Sequence, residues 1–301
     1  MQTIFLTGAT GYIGGSIATR LVAGGTRVRG LVRTQESATR LAQRGVEPVL
    51  GGLEDAALLR LEASAADGVI NAASADHPEP VRALIAGLEG SAKPLLHTSG
   101  SSVIGDEARG ACRSDSVFDE STPLVVPVTK QPRRDIDLMV LAAAARNVRA
   151  AVICPSMIYG TGSGLHPHSA QIPFLAANAR EQGTVQIVGA GHNLWSNVHI
   201  DDVVELFLLA LAKAPAGAFY FAANGEASFG EIGAGIAARL GLPGVECLPI
   251  AVAAQRWGES KAVYSLGSNS RVRSVRARSE LGWTPRHTSV IDWIKREMPI
   301  A

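Results

Sequence analysis

The sequence predicts an α/β protein with a doubly wound parallel sheet and a smaller C-terminal lobe. Three observations carry that expectation. Short apolar runs alternate with longer helical patterns through the first half of the chain, as stacked βαβ units require. A glycine-rich turn joins the first apolar run to the first helical stretch. After Pro155 the texture changes to polar, glycine-rich connections and separate helices.

Strands are expected at Thr3–Thr7, Arg27–Val32, Glu47–Leu50, Gly68–Asn71, Leu95–Ser99 and Ala150–Cys154. Several are nearly continuous apolar runs, which suits strands covered on both faces. Helices are expected near Gly14–Ala23, Ser37–Arg44, Pro78–Leu88 and Arg134–Ala145. The last is rich in Ala and Leu, with Pro132 at its entrance. The segment from Gly160 to His168 reads as a flexible polar loop. A helix from Ile172 to Gln182, a strand at Val185–Val188, an apolar helix ending at Ala212 and a strand at Ala218–Ala222 follow. Asp201 or Asp202 is expected to cap that apolar helix. From Ser228 the tail holds two or more helices and a basic stretch, Arg271 to Arg278, read as a solvated face. The expected division is a nucleotide-binding domain over residues 1–160, to which 198–224 return, and a substrate lobe of 161–197 and 225–301.

Bulk properties narrow the function. The 301 residues are 47% hydrophobic and 18% charged, with a formal net charge of +1. A large core is affordable, and no net field draws the chain to nucleic acid or an anionic membrane. No apolar run reaches the ~20 residues that span a bilayer. Cys112, Cys154 and Cys247 lie far apart without ligand spacing. A reducing, cytoplasmic setting and a small-molecule partner are therefore expected, with no metal site. His166-Pro167-His168 lacks a third ligand in sequence. The N-terminus reads as a first strand rather than a signal peptide.

The glycine turn is Thr7-Gly8-Ala9-Thr10-Gly11-Tyr12-Ile13-Gly14. Between a strand and a helix, its glycines serve a tight turn, close approach of a pyrophosphate, and helix–strand packing. The helix N-terminus then offers free N–H groups to phosphate. This is the signature of a Rossmann-type dinucleotide site. At the end of the second strand stands Arg33, where NAD-binding chains usually carry a carboxylate for the ribose 2′-hydroxyl. A guanidinium there suits a 2′-phosphate, so NADP(H) is favoured over NAD(H).

With these motifs the chain resembles the extended short-chain dehydrogenase/reductase superfamily, in its NAD-dependent epimerase/dehydratase branch. The resemblance runs through Asn71-Ala72-Ala73, Thr98 to Gly105, Pro155-Ser156-Met157-Ile158-Tyr159-Gly160, Val198-His199-Ile200-Asp201-Asp202-Val203 and Leu281-Gly282-Trp283-Thr284-Pro285. It implies an active site between the lobes, with Asn71, Ala72 and Ala73 lining the cofactor and Pro155 and Met157 on the nicotinamide side. It also implies, by analogy, a homodimer.

The family's catalytic device is Tyr-x-x-x-Lys at a helix start, aided by a Ser or Thr after the fifth strand. That device is missing here. Counting along the helix from Asp137 places Thr129 and Arg133 at the two positions; aligning on Lys130 places Val126 opposite it. The serine position falls at Gly100, between Ser99 and Ser101. Candidate catalytic groups are therefore Ser99, Ser101, Thr129, Lys130 and Arg133. Candidate cofactor contacts are Gly8, Thr10, Gly11, Tyr12, Ile13, Gly14 and Arg33, with the strand-end residues above. Candidate substrate contacts are Asp76, His77, Tyr159, His166, Gln171, Trp195 and Trp257, since titratable and aromatic groups shape small-molecule pockets. The functional expectation is an NADP(H)-dependent oxidoreductase of a small carbonyl-type molecule with atypical proton delivery. A non-catalytic dinucleotide-binding regulator or redox sensor, and a nucleotide-sugar epimerase or dehydratase, stand as alternatives.

Overall fold

The computed structural model describes residues 2–300. Apolar residues in the first strand alternate between two cores: Ile4 and Leu6 enter one, Phe5 the other. That period of two fixes a sheet with helices on both faces.

The chain runs β1 (Thr3–Thr7), α1 (Tyr12–Ala23), β2 (Arg27–Val32), α2 (Gln35–Ala42), β3 (Glu47–Leu50), α3 (Ala56–Ala65), β4 (Gly68–Asn71), α4 (Pro78–Leu88) and β5 (Pro94–Thr98). Then come α5 (Gln131–Ala142), β6 (Arg149–Pro155), β7 (Met157–Tyr159), α6 (Gln171–Gln182), β8 (Val185–Val188), β9 (Leu194–His199), α7 (Ile200–Lys213), β10 (Ala218–Ala222) and β11 (Gly225–Ser228). The tail contributes α8 (Phe229–Leu240), β12 (Val245–Leu248), α9 (Ile250–Trp257), α10 (Glu259–Lys261), α11 (Val275–Leu281) and α12 (Val290–Arg296).

Seven strands form one parallel sheet in the order β10-β6-β5-β4-β1-β2-β3. The order reverses beside β1, which opens a crevice at the carboxyl ends of β1 and β4. A three-stranded sheet, β11-β9-β7, and a two-stranded one, β12-β8, enclose a third core with α6, α8 and α12.

Several local expectations are corrected. Helix α3 was not foreseen, although Asp55 caps it by accepting from the Leu58 N–H. Pro132 lies within the first turn of α5, not before it. Neither Asp201 nor Asp202 caps α7: the His199 side chain accepts from the Asp201 N–H, while buried Asp202 binds the backbone N–H groups of Arg286 and His287. The Gly160–His168 loop is docked on α1 through Ser163 N–H to Ser16, and on the glycine turn through His166 N–H to the Thr10 carbonyl. Arg271 is no solvated arginine; it is buried, pairs with Glu226 through two nitrogens and donates to the Ser114 carbonyl.

Candidate active site

Two adjoining cavities lie at the N-terminus of α1. The first, about 410 Å³, is lined by Gly8, Thr10, Gly11, Arg33, Thr34, Ser37, Leu53, Glu54, Ala72, Ala73 and His166, with the end of β2. The second, about 430 Å³, begins at the next residues, Tyr12 and Ile13. It continues with Ser99, Gly100, Ser101 and Ser102 after β5, Lys130 and Arg133 at the start of α5, Pro155, Ser156 and Ile158, and Gln171 and Trp195 opposite.

The glycine turn has the close packing that a dinucleotide site needs. Gly8 sits at φ +75°, and a Cβ there would lie 2.5 Å from the Ala72 carbonyl oxygen. A Cβ on Gly14 would lie 2.3 Å from the Gly8 carbonyl oxygen, so α1 can seat only on glycine. Gly11 ends the turn without a side-chain cap, which leaves the first N–H groups of α1 available to an anion. These features fit a pyrophosphate. Arg33 is exposed and makes no hydrogen bond or ion pair among the described residues, unlike Arg29, which is bound by Glu47 and Glu62. Thr34 and Ser37 stand beside Arg33, their hydroxyls 3.0 Å apart. Glu54, the cavity's one carboxylate, follows β3, not β2.

Asn71 lies beneath the crevice, not on its surface. It accepts from the Thr7 hydroxyl and meets His97 Nδ1 at 3.0 Å. Burial pushes His97 down to about 4, so the ring is neutral. Its Nε2 has no hydrogen-bond partner.

In the second cavity Arg133 is clamped. Its Nε donates to Asp76 at 2.7 Å and one terminal nitrogen donates to Ser102 at 2.9 Å. The guanidinium holds the Asp76 carboxyl below its usual range. Burial and the Arg133 charge depress the Lys130 ammonium. Ser99 donates to Asp137 at 3.0 Å. Asp137 is fully buried, and desolvation raises it to about 6 against the Ser99 hydrogen bond and the Arg134 charge.

Several sequence candidates fall elsewhere. Thr129 is exposed and lines neither cavity. Met157 is 1% exposed, in the third core; its neighbour Ser156 faces the cleft. Tyr159 is also 1% exposed and stacks edge-on against His199. Trp257 packs against Phe174. His166 lines the first cavity, not the second. His77 precedes α4, 3.6 Å from Glu79, and Asp76 acts through Arg133. Trp195 and Gln171 do line the cleft, although the Trp195 indole donates to the Ser268 carbonyl. Ser156, within the Pro155–Met157 stretch expected at the site, does line the cleft; sequence reasoning missed Ser102 and Ile158, and also Ser260, Tyr264 and Ser265 from the tail. His199, Asp201 and His287 bring ligand-type atoms within 4.8 Å of one another. Their protein hydrogen bonds already account for that cluster: Nδ1 of His199 caps α7 and Nδ1 of His287 meets Asp202.

No helix among the described residues is long and apolar enough to cross a membrane. An oxidase from Acremonium is 33% identical over 94% of this chain and 93% of its own length. A 4-hydroxy-2-methyl-3-oxo-4-farnesyl-3,4-dihydroquinoline-1-oxide ketoreductase from Stigmatella aurantiaca is 28% identical over 98% and 96%. Among solved structures, dTDP-glucose 4,6-dehydratase from Streptomyces venezuelae with NAD bound superposes with a TM-score of 0.78 at 21% identity, over 98% of this chain and 95% of that one. The family model for NAD dependent epimerase/dehydratase matches residues 4–221. With the parallel sheet, its reversed strand order and the glycine turn, that match makes the chain a member of the NAD-dependent epimerase/dehydratase family.

Proposed function

We propose that the chain is an NADP(H)-dependent reductase of a small carbonyl compound. The observation that carries this reading is the pair of adjoining cavities: one has a glycine turn and an Arg33 without a partner among the described residues, the other is a cationic, hydroxyl-rich cleft. The dinucleotide, when bound, supplies the hydride. Gly8, Gly11 and the first N–H groups of α1 hold its pyrophosphate, and Arg33 with Thr34 and Ser37 holds a 2′-phosphate. In the cleft, Ser101 and Ser102 orient the carbonyl oxygen, the Ser102 hydroxyl accepting from Arg133 and keeping its own proton to donate, and Lys130 supplies positive charge where negative charge develops. Arg133, fixed by Asp76, shapes that end of the cleft and holds its potential positive. The similarity to a ketoreductase supports this reading.

The test is a titration of NADPH, NADP, NADH and NAD onto wild type and Arg33→Ala, followed by a carbonyl screen. NADPH bound tightly in wild type and selectively weakened about 10–100-fold in the variant is expected, as loss of a charge-assisted contact predicts. Equal affinities for NADPH and NADH would overturn the cofactor assignment. The absence of a phenol at the start of α5 favours a second reading, a redox sensor; it predicts a preference for one oxidation state and no consumption of cofactor with any carbonyl.

A further inference from the structure

Reduction of a carbonyl needs an acid for the developing alkoxide, and α5 offers no phenol. The four tyrosines separate by where their hydroxyls go. Tyr12 donates to the carbonyls of Tyr159 and Gly160, at 3.0 and 2.8 Å. Tyr220 donates to Glu280 at 2.9 Å. Tyr159 is sealed in the third core. Tyr264 alone lines the cleft with a hydroxyl that has no partner among the described residues.

Its setting is unusual. Tyr264 is half-buried on a one-turn π-helix, Ala262–Leu266, in the tail. Such turns interrupt regular helix at a cost and recur at functional sites. The ring lies against Lys130, with Nζ 5.5 Å from its centroid. The tail therefore delivers to the cleft the pairing of phenol and ammonium that α5 does not supply by itself.

We infer that Tyr264, reaching the cleft from the opposite lobe, is the proton donor of the reaction, with Lys130 as its companion cation. This rests on the reductase reading above. The carbonyl carbon gains a hydride, with its electron pair, from the reduced nicotinamide, and a C–H bond forms. The C=O π pair moves to oxygen, which takes the proton of the Tyr264 O–H bond. The tyrosinate left behind has the Lys130 ammonium over its ring and recovers its proton from water. The dinucleotide ends oxidised and the carbonyl ends as an alcohol.

The test uses the full chain with NADPH and 4-nitrobenzaldehyde as the carbonyl probe. Tyr264→Phe keeps the ring over Lys130 and removes only the hydroxyl. The expected result is a fall in kcat of about 10²–10³-fold with little change in KM or in NADPH affinity. A second readout needs no turnover: N-acetylimidazole should place a hydroxylamine-reversible acetyl group on Tyr264, in the tryptic peptide 262–271, and aldehyde with NADP should shield it. Wild-type kcat in Tyr264→Phe overturns the inference while leaving the reductase reading intact. So does acetylation of the other tyrosines with none on Tyr264. A wild type that binds NADPH yet reduces no carbonyl overturns the reductase reading, and the proton transfer falls with it.

Discussion

Replacing Asp137 with asparagine removes a carboxyl buried under the cleft while keeping its shape and one acceptor for the Ser99 hydroxyl. Desolvation, partly opposed by Ser99 and Arg134, holds this group at about 6, against an ordinary 3.8. Because the folded value is the higher one, the folded chain binds the proton more tightly. The resulting stabilisation is complete below about 4 and is lost as pH rises through about 6. The difference between those two values corresponds to about 3 kcal/mol at 1.36 kcal/mol per tenfold change in proton affinity. Asp76, held below its usual range by Arg133, stays charged across this pH range, so it adds little to the difference between wild type and Asp137→Asn. Urea unfolding of both proteins from pH 4 to 7.5, followed by far-ultraviolet circular dichroism, measures that difference. Wild-type stability should fall relative to the variant by about 3 kcal/mol across the range. A flat difference would refute the assignment of a neutral buried acid to this position.

Three further outcomes are expected. His97→Gln should show the opposite slope: His97 is depressed to about 4, so wild type loses about 3 kcal/mol relative to the variant as pH falls from 6.5 to 4, measured by the same unfolding series. Arg271→Ala strands Glu226 and the Ser114 carbonyl and should destabilise by about 2–3 kcal/mol, short of a fully buried pair because Glu226 is partly exposed; lysine should not restore it, lacking the planar fork, and calorimetry reads both. Gly14→Ala drives a methyl into the Gly8 carbonyl and should destabilise by about 1–3 kcal/mol while weakening NADPH at least tenfold in an isothermal titration.

The inner strands of the parallel sheet were legible because they are short apolar runs between turn residues, buried on both faces; the edge strand β3, Glu47–Leu50, is half exposed and was marked by its flanking turns instead. Helix α3 was harder: its stretch from Ala56 holds alanine and leucine with little polar contrast, so only the Asp55 cap marked it. The lining of the first cavity was legible for a local reason. Its glycines, Arg33 and Ala72–Ala73 lie on turns whose geometry is fixed within a few residues. The cleft was only half legible. Met157 and Ser156 are neighbours on a stretch where alternate side chains point opposite ways, and a motif match cannot say which one faces the cavity. Tyr264 carried no local signal at all. It reaches Lys130 across more than 130 positions of sequence through a π-turn that no pattern announces, and Trp257, seven residues before it, turns instead into the third core.

The pairing of β10 with β6 has a consequence for how the chain is made. Strand β6 ends at Pro155, and its outer partner does not begin until Ala218. A ribosome adding 5–20 residues per second leaves that buried apolar strand uncovered while about 60 further residues emerge, on the order of several seconds. During that interval the nascent chain carries an open edge with the composition of a sheet interior, the kind of edge that recruits other strands. Helix α7, which packs on α1, directly precedes β10, and only with β10 is that edge closed. Chaperone dependence during synthesis, and aggregation of fragments cut between 156 and 217, are what this order of strands brings with it.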